Sequence, residues 1–121
     1  MPTNVRIIHA KDFIRATPEG KLDLEESKSV LLEIASIGGT LIDFEVILDT
    51  RKARSTLSVS DLWHLAAELS KVGKAFRRKT AVLCPFERFN QAEFFEVCAR
   101  NRGFRVKAFT SFEDAIEWLT Q

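Results

Sequence analysis

A strand pattern followed by a helix pattern occurs three times in succession along the C-terminal two thirds of the chain, and this alternation strongly constrains the fold. The strands are predicted at residues 44–49, 80–84 and 105–109, where compact apolar runs are rich in β-branched and bulky side chains. Because each helix must cover the sheet and return the chain in the same direction, the strands are predicted to be parallel, with right-handed crossovers. The alternation therefore predicts an α/β protein.

The helices of this alternation carry recognisable start and stop signals. A side chain that can cap a helix precedes each apolar helical stripe, and a glycine follows the first two stripes. The first helix is predicted to start at Ser58 or Ser60 and to end at Gly73, the second to start at Asn90 and to end at Gly103, and the third to start at Ser111. Within the middle helix, Phe94 and Phe95 lie about 100° apart, so Phe95 is predicted to point into the sheet and Phe94 to lean towards the edge.

The N-terminal third adds two strands and one more helix. Apolar runs at residues 5–9 and 13–16, the second extending towards residue 22, predict an antiparallel hairpin. Asp23 and Glu26 have the spacing of a capping box and predict a helix over residues 24–37. The predicted fold is thus a single domain over residues 1–121, a mixed sheet of about five strands covered by about four helices.

The same periodicities predict which side chains form the core. Apolar residues that recur on one face of a predicted helix, or along a predicted strand, are expected to pack against the sheet. The expected core residues are Ile7, Ile14, Leu31, Ile34, Val46, Leu48, Leu65, Leu69, Val82, Cys84, Phe95, Cys98, Val106, Ala115, Ile116 and Leu119.

The charge balance argues against nucleic acid as a partner. Eighteen basic residues against seventeen acidic residues leave a net charge of +1, whereas a nucleic-acid binder is expected to carry a strong basic field. The basic residues between positions 71 and 79 are interpreted as a solvated turn, and the role of Arg51, Lys52 and Arg54 stays open. No apolar stretch reaches the roughly 18 residues of a membrane helix, and the N-terminus lacks a secretory signal pattern, so a cytoplasmic location is expected.

Residues with typical catalytic or metal-binding chemistry are sparse. Cys84 and Cys98 lack the spacing of a redox pair and lie in apolar patterns, which favours buried free thiols. His9 and His64 have no second His or Cys at ligand spacing on the same element. No nucleophile-and-base pair, paired carboxylates or glycine-rich phosphate loop is recognisable. We therefore expect no catalytic residues, no metal and no cofactor.

Residues 20–23 read Gly-Lys-Leu-Asp at the end of a predicted strand, and Leu48-Asp49 stands before a polar loop and a helix. These segments resemble the Gly-x-Leu-Asp step and the next landmark of STAS domains, the modules of anti-sigma-factor antagonists and sulfate transporters. Residues 103–119 resemble the last strand and helix of the broader SpoIIAA-like group. The resemblance implies the same mixed α/β fold and a regulatory, non-enzymatic role.

The chain departs from this pattern where the antagonists are phosphorylated. In the antagonists, the phosphorylated segment has the pattern Asp-Ser-[Ser/Thr]-Gly. Residues 54–62 of this chain contain neither the Asp-Ser pair nor the glycine. Counting from Asp49 places Val59 at about the acceptor position. A phosphorylation-switched antagonist is therefore disfavoured, and Ser58 and Ser60 are interpreted as helix caps.

The candidate binding surface lies at the carboxyl ends of the parallel strands, where loops and helix N-termini converge. It combines cations, hydroxyls and two aromatic rings. The candidates are Thr50, Arg51, Arg54, Ser55, Ser58, Ser60, Phe86, Arg88, Phe89 and Ser111.

Two functions fit this surface. The first is a non-catalytic STAS-like module that binds a regulatory protein or a copy of itself, with Phe86, Phe89 and Phe94 contributing to an apolar patch that supports a homodimer. The alternative is a carrier or sensor of a small apolar, anionic or lipid-like molecule, held by Phe86 and Phe89 over a basic rim. A flat apolar patch favours the first function, and a deep apolar pocket favours the second.

Overall fold

The computed structural model describes residues 4–10, 13–38, 44–72, 76 and 78–121. Its strands are β1 (Asn4–Ala10), β2 (Phe13–Leu22), β3 (Glu45–Asp49), β4 (Ala53–Ser55), β5 (Thr80–Leu83) and β6 (Val106–Phe109). Its helices are α1 (Leu24–Gly38), α2 (Val59–Lys71), α3 (Phe89–Asn101) and α4 (Phe112–Leu119), with a short 3₁₀ turn (Phe86–Arg88) before α3. Within the described ranges, no helix is long and apolar enough to cross a membrane.

The strands form a mixed sheet in the order β1-β2-β3-β5-β6. β1 and β2 pair antiparallel as a hairpin, whereas β2, β3, β5 and β6 run parallel to one another. The predicted mixed fold is therefore confirmed. β4 was not predicted: this three-residue strand pairs with the end of β2, Ala53 opposite Gly20, inside a stretch expected to be a loop. The reason is its length, because three residues are too few to show the alternation of apolar and polar side chains by which strands are predicted.

Helices cover both faces of the sheet. A larger core joins α1, α2 and α3 to one face, where Ile14, Val46 and Val82 point. A smaller core joins Ala115 and Leu119 of α4 to the opposite face. Successive side chains of a strand point to opposite faces, which explains why neighbours such as Val46 and Ile47 belong to different cores.

Most of the predicted core residues are buried. Three of them, Leu48, Cys98 and Ile116, are only partly buried and pack at the margins of the two cores. Ile7 lies outside the residues whose side chains are described. Strand and helix periodicity therefore identified the correct inner faces, but periodicity alone does not locate the margin of a face.

The helix starts explain how local sequence sets the element boundaries. Asp23 Oδ1 accepts from the Glu26 amide at 2.8 Å, so the predicted cap of α1 is confirmed. Ser58 caps α2 and Ser111 caps α4. Asn90 was predicted to cap α3 and does not, because α3 already begins at Phe89, directly after the 3₁₀ turn.

The cap of α2 is a complete capping box. Ser58 Oγ accepts from the Asp61 amide at 3.1 Å, and Asp61 Oδ2 accepts from the Ser58 amide at 3.0 Å. Ser60, the other predicted cap, instead lies inside the first turn. We expect Ser58→Ala to lower the free energy of unfolding by about 1 kcal/mol, because it removes a cap acceptor. Urea unfolding measures this loss.

Ser60→Ala is the matched control, since it removes an exposed hydroxyl two residues away from the same helix start. Alanine favours helix interiors, so this control should leave the unfolding free energy unchanged or slightly raised. Equal losses in the two variants would contradict the capping role of Ser58.

Candidate functional site

The strand-end surface is defined here as residues 49–60, 84–90 and 110–113, at the carboxyl ends of β3, β5 and β6. Its loops are tied together by backbone acceptors. Arg88 Nη2 donates to the carbonyl oxygens of Thr50 at 2.7 Å and Ala53 at 3.0 Å. Thr50 Oγ1 donates to the Leu83 carbonyl at 2.9 Å. Arg88 and Thr50 therefore join the loop after β3 to the turn after β5.

A buried carboxylate lies at the centre of this surface. Asp49 is the last residue of β3 and is only 3% exposed. Arg51 donates to it from Nε at 3.0 Å, from Nη2 at 2.9 Å and from its backbone amide at 3.1 Å. Arg15, from the neighbouring strand β2, adds a contact from Nη2 at 3.2 Å. Two guanidinium groups thus compensate one buried negative charge.

The Asp49 contacts determine its ionisation. Burial raises the pKa of the carboxyl, but the hydrogen bonds from Arg51 and Arg15 lower it by more, so the net pKa lies below its ordinary value. Sequence reasoning had identified Asp49 only as a landmark and had missed Arg15 altogether. A charged residue ending a strand covered on both faces was the available signal, because a buried acid needs a cationic partner.

The structure revises the basic rim that was expected here. The Arg51 side chain folds back onto Asp49, and the Arg88 head binds backbone carbonyls. The Arg15 guanidinium packs 5.0 Å from the centre of the Phe112 ring of α4. Arg54 is exposed and makes no ion pair among the described residues. The cations are therefore mostly engaged by the protein itself.

The candidate hydroxyls also have structural partners. Ser55 Oγ accepts from the Leu57 amide at 3.3 Å, and Ser111 Oγ accepts from the Asp114 amide at 3.3 Å. Ser58 is occupied by the capping box described above, and Ser60 is exposed. Most of these side chains order the loops and helix starts of the strand-end surface.

The two aromatic candidates separate in the structure. Phe86 is 83% exposed, whereas Phe89 is partly buried and packs against the larger core. Of the two rings expected to hold a molecule over a basic rim, Phe86 therefore faces solvent and Phe89 contacts the core, and their joint role in binding stays a prediction. Phe95 is buried and Phe94 is exposed, as predicted from their 100° separation.

A cavity of about 90 Å³ opens at this surface, between the sheet and helices α1, α2 and α3, and three of the candidate residues, Thr50, Ser55 and Arg88, line it. Its wall is mainly aliphatic and includes Leu48, Leu65 and Val82, and neither Phe86 nor Phe89 contributes to it. Cys84 lies in the wall, and burial raises the pKa of its thiol, which keeps it protonated and weakly nucleophilic at neutral pH. Among the described residues, no group of His, Cys, Asp and Glu side chains is placed to hold a metal ion.

No protein-family model and no curated protein matches the chain. Solved structures do match it over almost its whole length. An uncharacterized protein of the DUF3478 family from Shewanella loihica, with a SpoIIAA-like fold, is 21% identical at a TM-score of 0.64, covering 98% of this chain and 94% of that one. An anti-sigma factor antagonist from Mycobacterium paratuberculosis is 13% identical at a TM-score of 0.65, and the match covers 98% of this chain and 95% of that one. The anti-sigma factor antagonist SpoIIAA in its unphosphorylated form is 13% identical at a TM-score of 0.58, and the match covers 97% of this chain and 98% of that one.

This chain has the SpoIIAA-like fold. The structural matches therefore confirm the fold that the three sequence segments had suggested. In this SpoIIAA-like fold, the strand-end surface combines a neutralised Asp49 cluster, a capped start of α2 and an exposed Phe86. The arrangement orders the loops and leaves an apolar ring facing solvent.

The Asp49 cluster predicts an acid-dependent loss of stability. Because the Asp49 pKa is lower in the folded chain, its contribution is complete above the unfolded pKa of about 3.9 and is lost as the pH falls towards the folded value. We expect Asp49→Asn to lower the unfolding free energy at pH 7 by about 1–3 kcal/mol and to flatten its decline below about pH 4. Chemical unfolding between pH 7 and 3 measures both effects.

Glu93→Gln provides the control for this experiment. Glu93 is an exposed acid of α3 with no ion pair among the described residues. This variant should keep the wild-type unfolding free energy at pH 7 and the wild-type decline of that free energy at acid pH. If Asp49→Asn behaves in the same way, the Asp49 cluster does not stabilise the fold.

Proposed function

We propose that this chain is a non-catalytic regulatory module that binds a protein partner through an apolar face of α3. The observation that carries the proposal is that α3 is apolar on two sides. Its inner side buries Ala92, Phe95 and Ala99 against the domain, while its outer side exposes Phe94 and Val97. A helix that only covers a sheet needs one apolar side.

Two of the outer apolar residues share one face of α3, and a third lies in the turn before it. Phe94 is 37% exposed and Val97 is 51% exposed, and their spacing of three residues places them on the same helix face. Phe86, which is 83% exposed, lies in the 3₁₀ turn that leads directly into α3. We call Phe86, Phe94 and Val97 the α3 face. Such an apolar cluster is typical of a protein interface.

The names of two structural matches support the regulatory part of the proposal. Two of the solved structures with this fold are named as anti-sigma factor antagonists, a role that acts on another protein. A second copy of the chain is the simplest occupant of the α3 face, because two-fold dimers are the commonest soluble oligomers. A different regulatory protein is the other occupant that the test below distinguishes.

The α3 face is tested by a Phe86→Ser, Phe94→Ser double variant in light scattering. Phe89 is left unchanged, because it packs against the core and its loss would destabilise the fold. We expect a dimeric wild type and a monomeric double variant with an unchanged circular dichroism spectrum, since neither side chain belongs to the two buried cores.

Leu32→Ser is the matched control, because it removes an exposed apolar side chain from a different helix, α1. It should leave the dimer intact. A monomeric wild type would reject self-association and leave a different protein as the partner, whereas a dimer that survives the double substitution would reject the α3 face.

The phosphorylation-switched antagonist remains the disfavoured alternative. A phosphate on Ser58 would carry close to two negative charges beside the Asp61 carboxylate and would disrupt the capping box that joins the two residues. We therefore expect intact-mass spectra of the protein from growing cells to lack a phosphate on Ser58 or Ser60. A stoichiometric phosphate on either serine would restore the switch mechanism.

A further inference from the structure

The sheet has an edge at β6, which stands last in the order β1-β2-β3-β5-β6. On one side β6 pairs in parallel with β5, and the Arg105 carbonyl just before it accepts from the Thr80 amide at 2.8 Å. Because successive residues of a strand direct their backbone groups to opposite sides, the amides and carbonyls of Val106 and Ala108 point away from β5. Such an edge is a template for another strand.

Two side chains of α3 bind two of these four backbone groups. Glu96 Oε1 accepts from the Ala108 amide at 2.8 Å, and Arg100 Nε donates to the Val106 carbonyl at 3.0 Å. The two side chains also form an ion pair, with 3.5 Å between Arg100 Nε and Glu96 Oε2. We call Glu96 and Arg100 the edge clasp. Because the Glu96 side chain is only 20% exposed, the clasp lies against the strand.

The edge clasp does more than cover the sheet. Packing of α3 on the domain is already provided by Ala92, Phe95 and Ala99. Glu96 and Arg100 lie one turn apart on the flank of the helix that faces β6. A partly exposed ion pair contributes little to stability by itself, whereas charged side chains at a strand edge prevent pairing with another chain. The position of the clasp therefore fits protection of the edge.

The edge of β6 is complementary to itself. If two β6 strands meet antiparallel about a twofold axis at Lys107, the Val106 amide and carbonyl face the Ala108 carbonyl and amide of the second copy. Four hydrogen bonds would then join the two copies and continue the sheet. A second copy of this chain is therefore the partner that this edge fits. Lys107 is exposed and would face the same lysine of the second copy, and like charges directly opposite each other disfavour pairing.

We propose that the edge clasp, together with Lys107, keeps the β6 edge from pairing with the β6 edge of a second copy. Glu96 and Arg100 occupy backbone groups that this pairing needs, so the clasp must be released before two edges can join. The edge is separate from the α3 face, because it consists of backbone groups of β6. Association through the α3 face leaves the bonds of the clasp intact.

The proposal is tested by Glu96→Ala, with amide hydrogen exchange and sedimentation velocity measured over a range of protein concentrations. In dilute solution the Ala108 amide should exchange about tenfold faster than in the wild type, because it loses its acceptor. As the concentration rises, the Val106 and Ala108 amides should become protected and the sedimentation coefficient should exceed that of the wild type. In the wild type, the exchange of these two amides should not depend on concentration.

Two further variants make the test independent of Glu96→Ala alone. Arg100→Ala releases the Val106 carbonyl and should associate with the same protection of Val106 and Ala108. Adding Lys107→Thr to Glu96→Ala removes the opposed charges and should lower the concentration needed for association about fivefold. The circular dichroism spectrum of each variant should match the wild type, since neither core contains these side chains.

Glu93→Ala is the matched control, because Glu93 is an exposed acid of the same helix and the substitution changes helix propensity equally. It should behave like the wild type. Glu96→Gln keeps a carbonyl acceptor for the Ala108 amide, so it should keep that amide protected and prevent association through the edge.

Three results would overturn the proposal. The first is that Glu96→Ala and Arg100→Ala associate no more than the wild type at any concentration. The second is that they associate while the Val106 and Ala108 amides stay unprotected, which would place the new contact elsewhere, for example on the α3 face. The third is that Glu93→Ala associates as strongly as Glu96→Ala, which would make the effect nonspecific.

Discussion

The central strand β3 is buried on both faces, and this constraint determines where the polar groups of the domain can lie. Its two ends each carry a buried acid, Glu45 and Asp49. Arg78 Nε binds Glu45 at 2.9 Å, while Arg51 and Arg15 bind Asp49. Because a buried charge without a partner is strongly destabilising, both ends of the strand depend on these arginines. The sheet, its loops and the start of α4 are arranged around them.

The same constraint explains the character of the strand-end surface. Cations that would otherwise face a ligand are used to neutralise Asp49 or, in Arg88, to hold backbone carbonyls. Besides the exposed side chains of Lys52 and Arg54, the surface offers an exposed ring at Phe86 and a mainly apolar cavity. The α3 helix links them, since Phe95 lines the cavity and Phe94 lies on the outer face.

Local patterns by themselves determined much of the architecture. The strand and helix order, the hairpin and the caps at Asp23, Ser58 and Ser111 follow from patterns and contacts within short segments, which a sequence displays directly. The parallel direction of the later strands follows from their alternation with helices. The opposite orientations of Phe94 and Phe95 likewise follow from helical geometry alone. These features are set by backbone periodicity and short-range hydrogen bonds, and they were predictable for that reason.

Tertiary structure alone decided which residues meet across the sheet. Arg15 reaches Asp49 over 34 positions, and Arg88 reaches Thr50 over 38. The short strand β4 and the cavity between the sheet and helices α1, α2 and α3 likewise depend on distant segments packing together. No local pattern encodes such contacts, because they depend on strand register and helix packing. The sequence by itself therefore determined the order of the strands and helices, whereas long-range packing decided which polar groups are hydrogen-bonded within the protein.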